Sequence, residues 1–112
     1  MEPVLLSVFR LVTPYVNSDA QLWLTAYQED PDVPALFFTD SYREQLAIAT
    51  VNLGGSGRYP AEGNVFIKTW SENEGILEAL IERGIISEPV RKLETGQTEA
   101  VECKLLVTSL SM

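Results

Sequence analysis

The chain contains no histidine and a single cysteine, Cys103, in 112 residues. Without histidine no imidazole is present to serve as a general base near neutral pH. Without a second cysteine neither an internal disulfide nor a multi-cysteine zinc site can form. Cations are scarce as well: eight Lys and Arg stand against sixteen Asp and Glu, giving a formal charge of −8. Such a charge repels nucleic acid phosphates and anionic membranes, so the expected partner is a protein with a neutral or basic surface, with no direct contact to nucleic acid. Long apolar runs are also missing. The opening MEPVLLSVFRLV has an acid where a secretory leader needs a base, and Arg10 interrupts its apolar stretch, which argues against a leader or a membrane span. The expected location is the cytoplasm, with no cofactor and no metal.

What is present suits one folded unit. The sequence is 46% hydrophobic and its ten aromatic residues are spread along the chain, enough for one core over residues 1–112. VLLSVFRLV (4–12) is short, aliphatic and β-branched, and reads as a strand buried on much of both faces. A polar turn at Asn17 to Asp19 should lead into QLWLTAYQ (21–28), a second strand that alternates Leu22, Leu24 and Ala26 with Trp23, Thr25 and Tyr27. After EDPDVP come ALFFT and a third long run, EQLAIATVNL, whose Ala47 and Ala49 imply close approach by another element, the helix being the simplest candidate. EPVRKLE and EAVECKLLV, parted by TGQ, form a final hairpin, and the tail TSLSM should fray. Cys103 shares strand parity with Val101, Leu105 and Val107, which makes it a buried, inert thiol.

The clearest helix lies in TWSENEGILEALIERGII (69–86). Ser71 with Glu74 three residues on has the form of a capping box. Ile76, Leu77, Leu80 and Ile81 make the apolar side, Arg83 falls in the last turn, and Gly84 supplies the left-handed stop. About three turns are expected. Strands, one helix and strands again predict an α+β fold: an antiparallel sheet of about five to seven strands with one main helix packed on one face.

Chemistry-bearing motifs are few. GGSGRYPAEGN (54–64) is glycine-rich, but no Gly-Lys-Ser/Thr follows and a strand comes next, so a flexible connector is expected rather than a phosphate cradle. Glu29, Asp30 and Asp32 lack the central glycine and distal glutamate of an EF-hand loop and read as a solvated turn. No pair among the sixteen carboxylates stands out as general acid and base.

The remaining feature is a row of like charges. Glu74, Glu78 and Glu82 follow i, i+4, i+8 spacing beside the apolar arc, although each like-charge pair costs a few tenths of a kcal/mol. One reading is a solvated helix face rich in a good helix former. The other is an anionic ridge, extended by Glu72 and the Glu29 to Asp32 loop, that meets a basic groove on another protein, with Tyr59 and Trp70 as aromatic anchors. Arg91, Lys92 and Lys104 could neutralise part of the ridge from a neighbouring strand.

Tyr42, Glu44, Ala47, Thr50, Val51, Asn52 and Leu53, followed by Ser71 to Glu74, give the chain a resemblance to small acidic proteins of phages and other bacterial mobile elements. That resemblance covers about half the chain. It implies a compact, non-catalytic inhibitor of anti-CRISPR or anti-restriction type, acting on a nuclease complex by offering carboxylates where DNA phosphates would bind. Two further readings are a small-molecule-binding or catalytic protein, with a pocket between sheet and helix under a lid at Gly54 to Gly63, and a homodimer joined through an exposed strand edge.

Overall fold

The computed structural model describes residues 2–110, so the expected fraying of Ser111 and Met112 lies outside the described residues. The chain folds as α+β, but its strands divide between two antiparallel sheets rather than forming one. The first contains β1 (Val4–Val12), β2 (Asn17–Ala26), β3 (Pro34–Thr39) and β4 (Gln45–Ile48) in sequential order. β5 (Asn64–Lys68), β6 (Arg91–Thr95) and β7 (Thr98–Lys104) make the second, in the order β5-β7-β6. Among the described residues a single α-helix, α1 (Ile76–Glu82), packs into the core.

The division arises within EQLAIATVNL. Only Gln45–Ile48 pairs with β3. The Ala49 amide still donates to Leu36, but its carbonyl accepts from the Lys68 amide, Thr50 bridges to Ile67, and the Val51 amide donates to Phe66. The run therefore turns a corner between sheets. A strand can switch partners this way when each backbone group finds a new acceptor or donor. Buried Thr50 fastens the corner, its hydroxyl accepting from the Leu36 amide at 3.1 Å and sharing a 2.9 Å hydrogen bond with Tyr27.

The first turn also moves. Pro14 and the Thr13 hydroxyl, which accepts from the Tyr15 and Val16 amides, bring the chain around four residues early. Asn17 to Asp19 thus begin β2, where Arg10 binds both Asn17 and Asp19. The final hairpin has its two-residue turn at Gly96-Gln97, with Thr95 opposite Thr98 and Gly96 at φ 77°.

Leu11, Leu22, Leu36 and Phe38 face Val65, Ile67 and Cys103 across the core, and Ile76 and Leu80 close it. Each such side chain contributes about 1.5–3 kcal/mol by leaving water. Among the described residues no helix is long and apolar enough to cross a membrane.

Candidate functional site

Entry into α1 differs from the capping box. Ser71 takes φ 55°, residues Ser71–Asn73 form a 3-10 turn, and Glu74 is extended at φ −54°, ψ 127°. Gly75, left-handed at φ 93°, is the N-cap and makes no side-chain cap. Tertiary contacts override the local motif here. Asn73 is buried and its Nδ2 donates to the Ile48 carbonyl at 2.6 Å, which pins the turn to β4. Gly75 lies so close to β1's end that a Cβ there would come within 3.1 Å of Thr13 Cβ. This turn is the element that meets β4, Ala47 and Ala49 share the core with Ile76 and Leu80, and the helix runs only Ile76–Glu82 rather than about three turns.

The acidic row is correspondingly shorter. Glu78 and Glu82 stand one turn apart, exposed, on α1, while Glu74 precedes the helix and is off its periodicity. Glu72 belongs to the 3-10 turn, and its carboxylate meets Lys68 Nζ at 3.2 Å. A hydrogen bond from its own amide, then Lys68, holds its carboxyl below the usual range. The same Lys68 ammonium lies 5.6 Å from the Trp70 ring centroid. Trp70, Glu72 and Lys68 thus form one cluster at the 3-10 turn that precedes α1.

Tyr59 is elsewhere. Its loop covers the face of the second sheet that points away from α1, where Phe66, Leu93 and Ala100 are buried. The loop is fastened there rather than free to act as a lid. Arg58 donates to the Glu94 carbonyl at 2.7 Å, and the Ala61 amide donates to Glu102 at 3.0 Å. Asn52 Nδ2 donates to Asp30 at 2.8 Å while its Oδ1 accepts from the amide of Gly54, against which Tyr59 packs. Tyr59 remains half exposed beside Asp30, Asp32 and Pro60 along a cleft of about 310 Å³.

Glu102 is the residue that sequence reasoning passed over. It is 3% exposed. One carboxylate oxygen accepts from the Ala61 amide and Asn64 Nδ2 (2.7 Å), the other from Arg91 Nε (2.9 Å) and Nη2 (2.6 Å). Burial pushes its carboxyl up, yet the donations from Asn64, Ala61 and Arg91, with the Arg91 charge, bring it below the usual range. Parity in VECKLLV carried the signal: with Val101 and Cys103 in the core, Glu102 must face the other side. Arg91 is therefore spent on Glu102 and does not neutralise the ridge. Cys103 is buried, and burial first, then Glu88 and Glu102, raise its thiol to about 11.

Of sixteen carboxylates, Asp19, Glu72 and Glu102 stand in ion pairs and Asp30 and Asp40 accept from neighbouring groups; the other eleven are exposed without such a partner among the described residues. Six of the eight cations engage partners within the chain, although most of these six stay exposed, and Lys92 and Lys104 are exposed on β6 and β7. Arg10, Lys68 and Arg91 are in those pairs, Arg43 and Arg83 lie 4.7 and 4.6 Å over the rings of Trp23 and Phe9, and Arg58 caps a carbonyl. Glu94 and Glu99 even face each other directly across β6 and β7, an arrangement that destabilises a sheet.

The space between α1 and the sheets is filled by Ile76, Leu80 and their core neighbours. A cleft of about 330 Å³ lies instead on the outer face of the first sheet, lined by Tyr27, Glu29, Phe37, Gln45 and Ile48 among others. No group of three or more metal-ligating side chains converges among the described residues. Comparison with protein-family models, curated proteins and solved structures found no match.

Proposed function

We propose that this chain is a non-catalytic interaction module that presents carboxylates to a basic, nucleic-acid-handling surface of another protein and blocks it, as an inhibitor of anti-CRISPR or anti-restriction type would. The observation that supports this reading is the asymmetry of charge: six of the eight cations engage rings, a carbonyl or ion pairs of the chain itself, whereas eleven of the sixteen carboxylates are exposed with no such partner among the described residues. Glu78 and Glu82 are the favoured contacts, with Glu74 at the helix entrance and Trp70 and Glu72 in the turn before it. Surface charges of this kind act mainly through steering and specificity, and their effect weakens with salt.

Capture of a nuclease complex from a bacterial lysate by the tagged chain, compared with Glu74→Gln, Glu78→Gln and Glu82→Gln combined, tests the assignment. Capture at low salt that falls at least about tenfold in the triple variant, a loss of about 1.4 kcal/mol, is expected. Folding should be unchanged or improved by a few tenths of a kcal/mol as Glu78 and Glu82 cease to repel. Equal capture by both proteins would remove the helix glutamates from the interface.

A further inference from the structure

The turn that follows β2 and the glycine-rich loop meet in the cleft of about 310 Å³, whose walls are Pro31, Val33 and Pro60, the Tyr59 ring, and Asp30 and Asp32. That volume is at the lower end of ligand pockets and suits one long side chain better than a cofactor. Both sides of the cleft are fixed. The Val33 amide donates to the Asp30 carbonyl at 2.9 Å and the Tyr27 amide to the Val33 carbonyl at 3.1 Å, which closes the turn. Asn52 holds Asp30 through Oδ2 and leaves Oδ1 without a partner among the described residues. Opposite, the Tyr59 hydroxyl donates to the Gly54 carbonyl at 3.4 Å. Gly54 lets the two sides meet, since a Cβ there would lie 2.6 Å from Asp30 Oδ2 and 3.0 Å from Tyr59 Cε1. Carboxylate and ring thus converge over a residue that has no side chain of its own.

The lining lacks a cation. Elsewhere the chain lays its own guanidinium groups on aromatic rings, Arg43 on Trp23 and Arg83 on Phe9. Among the described residues Tyr59 receives none, because its neighbour Arg58 is turned to the Glu94 carbonyl. Neither Lys nor Arg lines this cleft or the adjoining one that shares Pro31 and Asp32. The Tyr59 ring stays 51% exposed, and Asp32 is exposed beside it. Together these groups specify a guanidinium: a planar cation stacks on a tyrosine face, its N–H groups fork toward carboxylates, and proline and valine walls accept its aliphatic stem. A bare metal ion is a poor match, because it needs more oxygen ligands than two aspartates supply, and no third metal-ligating side chain converges among the described residues.

We propose that this cleft binds an arginine side chain of a protein partner, its guanidinium stacked on the Tyr59 ring and bonded to Asp30 and Asp32. The source of the arginine rests on the reading of this chain as a module for a basic surface; the site itself rests on the cleft alone.

Titration of the full chain with N-acetyl-arginine amide, followed by amide chemical shifts, tests the site. Saturable shifts in the millimolar range are expected at Asp30, Asp32, Val33, Gly54 and Tyr59, and the uncharged isostere N-acetyl-citrulline amide should give none. Asp32→Asn with Tyr59→Leu should weaken binding at least about tenfold. Gly54→Ala, which forces Asp30 and Tyr59 apart, should weaken it as well, whereas Gly55→Ala, with open space around it, should not. The spectra report whether each variant is folded, and if the double variant is not, the citrulline comparison on the unaltered chain decides. Absence of saturable shifts, equal shifts with the citrulline probe, or undiminished binding by the folded double variant overturns the proposal. Tighter binding of free L-arginine than of the capped probe overturns the assignment to a partner's side chain. Because the probe stands in for the partner, this result is independent of the capture experiment on the α1 glutamates, and either can fail while the other stands.

Discussion

Glu102 shows how one side chain can organise a face of a small protein. Its four donors come from Ala61, Asn64 and Arg91, so a single carboxylate links the glycine-rich loop, β5 and β6. Truncating one member of a buried, hydrogen-bonded pair leaves the others unsatisfied. Glu102→Ala should therefore cost on the order of 3 kcal/mol in urea unfolding, and an unchanged midpoint would show the cluster to be dispensable. The pH dependence has a definite sign. The folded carboxyl lies below its ordinary value of 4.5, so its stabilisation is complete above the unfolded value and is lost as pH falls through the lower, folded one. Glu102→Gln should flatten the decline in stability below about pH 4.5, and a decline as steep as in the unaltered protein would refute this. Strand parity made the orientation of Glu102 legible in VECKLLV. Its partners were not, because Ala61 lies 41 residues away in a loop.

The helix is the element in which local and tertiary preference compete. Seven residues are fewer than the roughly 12–15 an isolated helix needs, so α1 exists because Ile76 and Leu80 are buried. Gly84 ends it as its sequence predicts, at φ 70°, with the Ile85 amide returning to the Leu80 carbonyl. Its beginning is set from outside, by Asn73 on β4 and by Gly75 against Thr13. Gly75→Ala combines a left-handed backbone with a close contact and should lower stability by about 2 kcal/mol, some 8–16 °C in melting temperature for a domain of this size. Gly55, with open space around its Cα, should accept alanine with little change. Equal melting temperatures for the two variants would show that the helix entrance is not constrained as described. SENEGIL reads as a capping box from Ser71 to Glu74, and only the packed turn explains why Gly75 becomes the N-cap instead.

At the scale of the molecule, the charges share a body of 35 × 30 × 23 Å. The Debye length at 0.01 M salt, about 30 Å, spans it, and at 0.1 M it is about 10 Å. Self-repulsion is therefore felt throughout at low salt and screened at moderate salt, while Arg10–Asp19 and Lys68–Glu72 are too exposed to lose much. The melting temperature should rise by a few degrees between about 0.01 and 0.3 M NaCl; a fall would mean that favourable pairs outweigh repulsion. By itself the sequence determined the α+β class, strand parity, the Gly84 stop, the final hairpin and the net charge, because these depend on composition and on periods of two and 3.6 residues. Tertiary structure alone decided that EQLAIATVNL divides between two sheets, that Glu74 leaves the helical row, and that the loop at Gly54 to Gly63 is strapped to Glu102. Each of these turns on which distant backbone group or side chain satisfies a hydrogen bond, and that pairing exists only once the chain has folded.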